Sequence, residues 1–207
     1  MVKDILVCLE GSPSSQRATE VGIRVGRDLE AALVGLAIVD EPNIRASEAV
    51  GIGGASFKQQ RDEALLADAH QRAQEWLDAF VARCRDAGVS VRTLELTGRP
   101  GPVILEEMQR HDLTLLGRHA NFRFETEEQD LQTRDHVLRR AGKPVVIVPE
   151  DVVEAGPAVL VAYDQSPAAD RALRSFAASG LARGRAVHVA SVADDAAIAW
   201  DIAVRGC

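Results

Sequence analysis

Two acidic residues in this chain each stand two positions before a Ser-Pro pair, in the segments EGSP (10–13) and DQSP (164–167). A carboxylate beside a hydroxyl group could activate a nucleophile. A serine followed by proline is also typical of the first turn of a helix, where the hydroxyl group caps a backbone N–H. We therefore interpret Ser12 and Ser166 as helix caps and predict no catalytic residue at either position.

The cysteines and histidines show no spacing that is typical of a metal site. Cys8, Cys84 and Cys207 form no CxxC pair, so we expect reduced thiols. His119 follows an apolar run and is either a ligand contact or an ordinary loop side chain. The chain has no nucleophile elbow, no HExxH motif and no Walker lysine. We predict no metal and no enzymatic activity.

Composition narrows the class of partner. The chain has 207 residues, a formal net charge of −7 and 46% hydrophobic residues, as an ordinary globular protein does. The acidic balance argues against a nucleic-acid partner and against an anionic membrane. We find no signal peptide and no apolar run that approaches the roughly 20 residues needed to cross a bilayer. The expected location is the cytoplasm.

Short apolar runs alternate with segments of helical spacing over residues 1–150. The predicted strands are Asp4–Leu9, Ala31–Val39, Val89–Leu96, Leu113–Leu116 and Val145–Val148. The predicted helices begin after Ser12 and then occupy Lys58–Asp86, Val103–Gln109 and Leu131–Arg140, and a loop is expected over Asn43–Phe57. This alternation predicts an α/β fold with a doubly wound, parallel five-stranded sheet.

The opening of the chain is repeated near its end. Residues 158–163 (AVLVAY) match residues 4–9 (DILVCL), and Val187–Val192 matches residues 33–38 at the same offset of 154. A helix is expected over residues 194–204, without counterparts of strands three to five. We predict a domain at 1–150 and an incomplete second copy at 151–207, a partial βαβ(α) repeat. Since two strands cannot bury both faces of a sheet, the second copy needs a neighbour.

Three segments resemble the universal stress protein family: ILVCLEGSPSSQRA at the start, LTLLGRHA at strand four and HVLRRAGKPVVIVP at strand five. The resemblance covers residues 1–150, and the repeat looks like the opening of a second copy in a tandem member. It implies a Rossmann-like sheet of the adenine nucleotide α-hydrolase type. A flavodoxin-like or other doubly wound enzyme is a further alternative.

The resemblance implies where an adenine nucleotide would bind. The acidic residue after strand one and a backbone position near the end of strand two correspond to Glu10 and Ile38 in this chain. The second copy offers Asp164 and Val192. Glu10 departs from the usual aspartate, since its extra methylene displaces the carboxylate. We therefore regard these residues as candidate contacts of a degenerate site.

The phosphate loop of nucleotide-binding members reads Gly-x-x-Gly-x9-Gly-Ser/Thr. Gly117 matches its first glycine, but Ala120 occupies the second glycine position and Leu131-Gln132 the last pair. The resemblance thus implies a regulatory stress-response protein that does not bind ATP in the usual way and needs no cofactor. The alternative is an adenine-nucleotide binder with weak or no hydrolysis, in which Gly117, Arg118 and Ala120 contact Mg-ATP.

The fifth predicted strand is unusually apolar for the edge of a sheet. Members of the family commonly form dimers by pairing this strand across a twofold axis. We therefore predict a homodimer through strand five, together with a possible protein partner. The residues of this strand are Val145, Val146, Ile147 and Val148.

Overall fold

A computed structural model of the chain describes residues 1–46, 55–120, 122, 132–151, 156 and 158–192. The chain forms two compact units. The large unit is Lys3–Asp151, and the small unit joins Met1–Val2 to Val152–Cys207. No helix among the described residues is both long and apolar enough to cross a membrane.

The large unit contains one parallel sheet with strand order β3-β2-β1-β4-β5. Its strands are β1 (Asp4–Leu9), β2 (Ala32–Val39), β3 (Val91–Thr97), β4 (Leu113–Gly117) and β5 (Val145–Val148). The central strands are almost fully buried, as continuous aliphatic runs require. The prediction of an α/β fold with a five-stranded parallel sheet is confirmed.

Helices cover both faces of this sheet. They are α1 (Pro13–Leu29), α2 (Glu41–Ile44), α3 (Ala55–Asp86), α4 (Pro100–Glu107), which continues as a 3₁₀ turn over Met108–Arg110, and α5 (Gln132–Arg140). Helix α1 packs closely on one face, where Gly22 lies against Val7 and Leu115. The other face forms a core with α4 and α5, in which Leu6 and Leu116 join Ile104, Met108 and Val137.

The expected loop over Asn43–Phe57 is wrong at both of its ends. Residues 43 and 44 belong to α2, and residues 55–57 belong to α3. The short helix α2 forms because the carboxylate of Asp40 accepts a hydrogen bond from the backbone N–H of Asn43 at 3.1 Å. Helix α4 likewise begins at Pro100 rather than at Val103, since proline fits the first turn of a helix.

The small unit contains β6 (Ala158–Ala162), α6 (Pro167–Ser179) and β7 (Ala186–Ala190). Strands β6 and β7 pair in parallel with Ala158 opposite Ala186, whereas β1 and β2 pair with Asp4 opposite Ala32. The differences 158 − 4 and 186 − 32 both equal 154. The strand register therefore follows the same offset as the sequence repeat. The helix expected over 194–204 lies outside the described residues.

Both predicted helix caps are confirmed. The Ser12 hydroxyl accepts a hydrogen bond from the Ser15 N–H at 3.1 Å, and the Ser166 hydroxyl accepts one from the Ala169 N–H at the same distance. The turn before each cap has a positive φ, +81° at Gly11 and +62° at Gln165. The two Ser-Pro segments thus have the same backbone course.

Candidate functional site

The order of the strands locates the crevice where this type of sheet binds ligands. The chain leaves β1 toward β2 on one side, and β4 lies on the other side of β1. Ligands of open α/β sheets bind outside the carboxyl ends of the strands at such a switch point. Glu10 follows β1 there, and residues 118–120 follow β4.

The carboxylate of Glu10 lies at the amino end of α1. Its two oxygens accept hydrogen bonds from the Ser12 N–H, at 3.3 Å, and from the Ser12 hydroxyl. The backbone N–H of Glu10 donates to the Ser15 hydroxyl at 3.2 Å. The amino end of a helix carries partial positive charge, which attracts a carboxylate at this position. Glu10 is 7% exposed and supports the first turn of α1.

Gly11 lies directly beneath an aromatic side chain of α3. A Cβ atom at Gly11 would stand 2.6 Å from Cε2 and Cζ2 of Trp76. The indole of Trp76 is half-buried and contacts the turn that carries Glu10. The positive φ and the close indole both require glycine at this position.

Gly117 ends β4 against the first turn of α1. A Cβ atom at this position would lie 2.5 Å from the Ser14 Oγ atom and 3.0 Å from the Ser15 nitrogen. The space beside Gly117 is therefore occupied by the chain itself. The glycine that matches the family's loop is required here by the packing of β4 on α1.

The backbone N–H groups that follow Gly117 all have partners within the protein. The Arg118 N–H donates to the Val148 carbonyl at 2.8 Å, and the Ala120 N–H donates to the Gly117 carbonyl at 3.2 Å. The His119 N–H donates to the Ser14 hydroxyl at 3.3 Å. A phosphate-binding loop instead points its N–H groups at the ligand. In this turn three successive donors are engaged internally.

The side chains of the same turn divide between core and surface. Ala120 is 1% exposed and joins Phe122 in the core beneath α4 and α5. Arg118 is exposed, and its carbonyl accepts a hydrogen bond from Arg134 Nη1 at 3.3 Å. The Nδ1 atom of His119 is buried and has no hydrogen-bond partner within the described part of the chain.

Of the remaining candidates, Ile38 lies one residue beyond the last β1–β2 pair, Leu9 with Ala37, so its backbone is next to Glu10 at the carboxyl edge of the sheet. The side chain of Ile38 is fully buried. Gln132 begins α5, and Leu131 lies outside the described residues. In the small unit, Val192 is 96% exposed. The backbone N–H of Ser166 donates to Asp164 at 2.9 Å, and hydrogen bonds from Ser166 lower the pKa of Asp164.

A cleft of about 360 Å³ opens between the end of β2 and the amino ends of α4 and α5. The charged and polar residues that line it include Asp40, Asn43, Arg99, Thr133 and His136. The ring of His136 packs on Gly101, where a Cβ atom would lie 2.8 Å from Cδ2. Sequence reasoning missed this cleft, although Asp40 follows β2 and Arg99 precedes α4, positions that meet at one edge of a parallel sheet.

The described residues do not favour a reactive thiol or a metal site. Burial, with a smaller contribution from the charge of Glu10, raises the pKa of Cys8 to about 12. Burial also raises the pKa of Cys84 to about 11. Both thiols are therefore protonated at neutral pH and are poor nucleophiles. Within the described ranges, no group of three His, Cys, Asp or Glu side chains could hold a metal ion.

Comparison with family models decides the family. The model of the universal stress protein family matches residues 1–149. The chain belongs to the universal stress protein family. A search of curated proteins finds no significant match.

Solved structures of universal stress proteins share this fold at low sequence identity. The protein UspA from Lactobacillus plantarum superposes with a TM-score of 0.51 at 17% identity, over 71% of this chain and 97% of that one. A family member from Arabidopsis thaliana, solved with AMP bound, gives 0.50 at 18% identity, over 72% and 93%. A universal stress protein from Archaeoglobus fulgidus gives 0.68 at 20% identity, over 98% of this chain and 70% of that protein.

Proposed function

We propose that this universal stress protein acts as a regulatory stress-response protein. In this proposal the turn that follows β4, residues 118–120, does not bind ATP in the usual way. The observation that carries the proposal is the engagement of three successive N–H groups, those of Arg118, His119 and Ala120, by acceptors of the protein itself. A triphosphate would have to displace these acceptors to reach the donors. The three N–H groups of this turn are therefore not free to bind a phosphate.

The neighbouring residues support the same proposal. Ala120 directs its methyl group into the core, and Ser14 occupies the space next to Gly117. The carboxylate of Glu10 accepts two hydrogen bonds from Ser12 at the start of α1. Each of these contacts stabilises the fold and would have to be broken before the group could contact a nucleotide. We further propose that the protein needs no cofactor and is not an enzyme.

Isothermal titration calorimetry of the purified full chain with Mg-ATP tests this proposal. We expect no binding in the micromolar range, which corresponds to about −8 kcal/mol. A phosphate-release assay on the same sample should show no hydrolysis above the buffer blank. Micromolar binding that is weakened in Arg118→Ala, which removes an exposed side chain of the same turn, would overturn the proposal, because it would show that the turn opens to admit the phosphates.

A second candidate function is adenine-nucleotide binding in the cleft between the end of β2 and the amino ends of α4 and α5. The observation in its favour is the cleft of about 360 Å³ lined by Asp40, Arg99 and His136, which offers a carboxylate, a guanidinium group and an imidazole. The structural neighbour from Arabidopsis thaliana has AMP bound. This candidate predicts AMP binding that is weakened at least about tenfold by Arg99→Ala. An unchanged affinity in that variant would remove it.

We also propose a homodimer that pairs β5 across a twofold axis. Strand β5 lies at the edge of the sheet and consists of four aliphatic residues, of which Val145, Val146 and Ile147 are half-buried. An uncharged edge strand favours pairing with a second copy. Light scattering at micromolar concentration should give a dimer, and Val146→Lys should give a monomer. The matched control is Thr93→Lys on β3 at the opposite edge, which should leave the dimer intact.

The small unit is proposed to be an incomplete second copy of the family's domain. The supporting observation is the shared offset of 154 in strand register, caps and positive φ angles.

We propose a cytoplasmic location and a protein partner, with no nucleic-acid or membrane partner. Crosslinking in cells followed by capture of the full chain tests the partner, and recovery of nucleic acid instead would contradict it.

A further inference from the structure

A buried histidine lies between two carboxylates at the amino end of the sheet, away from the crevice described above. The side chain of His111 is 5% exposed. Its Nδ1 atom is 2.7 Å from Asp4 Oδ1, and its Nε2 atom is 3.2 Å from Glu107 Oε1. Asp4 begins β1 and Glu107 ends α4, so the ring joins these two elements to the residue pair that precedes β4.

The geometry depends on the protonation state of the ring. An ionised carboxylate only accepts hydrogen bonds, and a neutral imidazole has one donor nitrogen and one acceptor nitrogen. Both contacts of His111 are therefore hydrogen bonds only when each ring nitrogen carries a proton. Loss of either proton leaves a nitrogen lone pair facing the carboxylate of Asp4 or Glu107.

Each of these two carboxylates contacts an arginine through its other oxygen. Arg92 Nη2 lies 2.6 Å from Asp4 Oδ2, and Arg110 Nη1 lies 2.5 Å from Glu107 Oε2. Arginine keeps its charge throughout the stable range of proteins. These outer contacts therefore persist when the ring changes its protonation state, and the inner contacts with His111 are the ones that change.

The other charged groups of the cluster act on backbone atoms. Lys143 Nζ donates to the carbonyl of His111 at 3.1 Å. The carboxylate of Asp112 accepts hydrogen bonds from the N–H groups of Lys3 and Asp4, at 2.8 and 3.2 Å. These contacts hold the backbone of His111 and the start of β1 in place around the ring.

We propose that His111 is a proton-dependent clamp of the large unit. Its protonated ring holds β1, the end of α4 and the start of β4 together through Asp4 and Glu107. The clamp weakens as the pH rises and the ring becomes neutral, since one hydrogen bond to a charged group is then replaced by repulsion. This property is independent of nucleotide binding, because the cluster lies at the opposite end of the strands from Glu10 and Gly117.

Urea unfolding of the full chain at two pH values tests the clamp. Trp76 fluorescence in a Trp200→Phe background reports the large unit, because the chain has two tryptophans. Between about pH 6 and about pH 8.5, on either side of the ordinary histidine range, the unfolding equilibrium constant should rise roughly tenfold or more, which is the effect of one hydrogen bond to a charged group. His111→Gln should reduce this rise to near zero.

The matched control is His70→Gln. His70 contacts Glu95 at 2.5 Å, but its side chain is 47% exposed, so solvent screens the pair. This variant should keep the wild-type rise. An equal rise in wild type and His111→Gln would overturn the proposal.

Nitrogen NMR of the histidine rings tests the proposal without any variant at position 111. Both ring nitrogens of His111 should carry protons in the folded chain at about pH 6, because each of them faces a carboxylate. If either ring nitrogen lacks a proton at that pH, the clamp is refuted.

Discussion

The two Ser-Pro turns have the same backbone course in different surroundings. Gly11 and Gln165 both have a positive φ, and both stand one residue before a capping serine. At Gly11 the indole of Trp76 leaves no space for a Cβ atom. Gln165 carries a full side chain in the same conformation. The local turn chemistry therefore determines the conformation, whereas the contact with α3 determines that glycine is required.

The strands show the same contrast. Leu6 in β1 is fully buried, and Leu160, its counterpart in β6 at the offset of 154, is 72% exposed. In the large unit α4 and α5 cover the face that contains Leu6. Identical pairing of two strands thus yields a core only where helices cover both faces of the sheet.

The largest expected difference between the two turns follows substitution by alanine. Gly11→Ala should destabilise the large unit by about 2–4 kcal/mol, because the methyl group overlaps the Trp76 indole and the positive φ is strained. Gln165→Ala should change the stability of the small unit by less than about 0.5 kcal/mol. Urea unfolding measures both, with Trp76 and the single tyrosine, Tyr163, as probes. Equal losses would contradict the role assigned to Trp76.

The caps should differ by a smaller amount. Ser12→Ala removes a cap and also a hydroxyl donor to the buried Glu10 carboxylate, so we expect a loss of about 2–3 kcal/mol. Ser166→Ala removes a cap and also a hydroxyl donor to Asp164, but Asp164 is exposed and solvent screens that contact, so we expect a loss of about 1 kcal/mol. Ser12→Thr, which keeps the hydroxyl group, is the control for Ser12. A loss at position 12 no larger than at position 166 would show that burial of the Glu10 contact adds nothing to its strength.

A gain in stability is expected when the second turn is made like the first. Gln165→Gly should stabilise the small unit by about 0.5 kcal/mol, since relief of the left-handed backbone outweighs the added entropy of the unfolded chain. The Tyr163 signal during urea unfolding measures the gain. A loss would mean that the Gln165 side chain makes a contact that the turn needs.

The smallest effect concerns ionisation at the end of β6. A hydrogen bond to Asp170 at 2.6 Å, with burial as a second cause, raises the pKa of Tyr163. Absorbance titration of this single tyrosine should give a midpoint above the ordinary value of about 10. The contribution of the contact to stability is present below that ordinary value and is lost as the pH rises through the midpoint. Asp170→Asn should lower the midpoint.

Much of the fold could be predicted from local patterns in the sequence. The predicted bounds of β1 and β5 match the structure because each is an aliphatic run bounded by turn residues. The loop expected over Asn43–Phe57 was wrong at its ends because Asp40 caps a helix of one turn, which is too short to show periodicity. The offset of 154 carried over from the sequence to the strand register because both copies use the same turn.

Less of the candidate site than of the fold could be predicted from the sequence. The positions of Glu10 and Gly117 at the carboxyl ends of β1 and β4 could be predicted, since parallel strands end at one edge. The partners of the Arg118 and His119 N–H groups could not, because Val148 and Ser14 are distant in sequence. The cleft at Asp40 and the cluster around His111 likewise arise from contacts across the sheet.

The contacts of the turn after β4 also determine what a substitution in that turn would do. The substitution Ala120→Gly would remove a methyl group from the core and would leave the Arg118 and His119 donors engaged as before. Opening the turn requires Ser14 and Val148 to lose their contacts at the same time. A phosphate that reached these donors would therefore have to displace two acceptors that belong to different elements, one on α1 and one on β5.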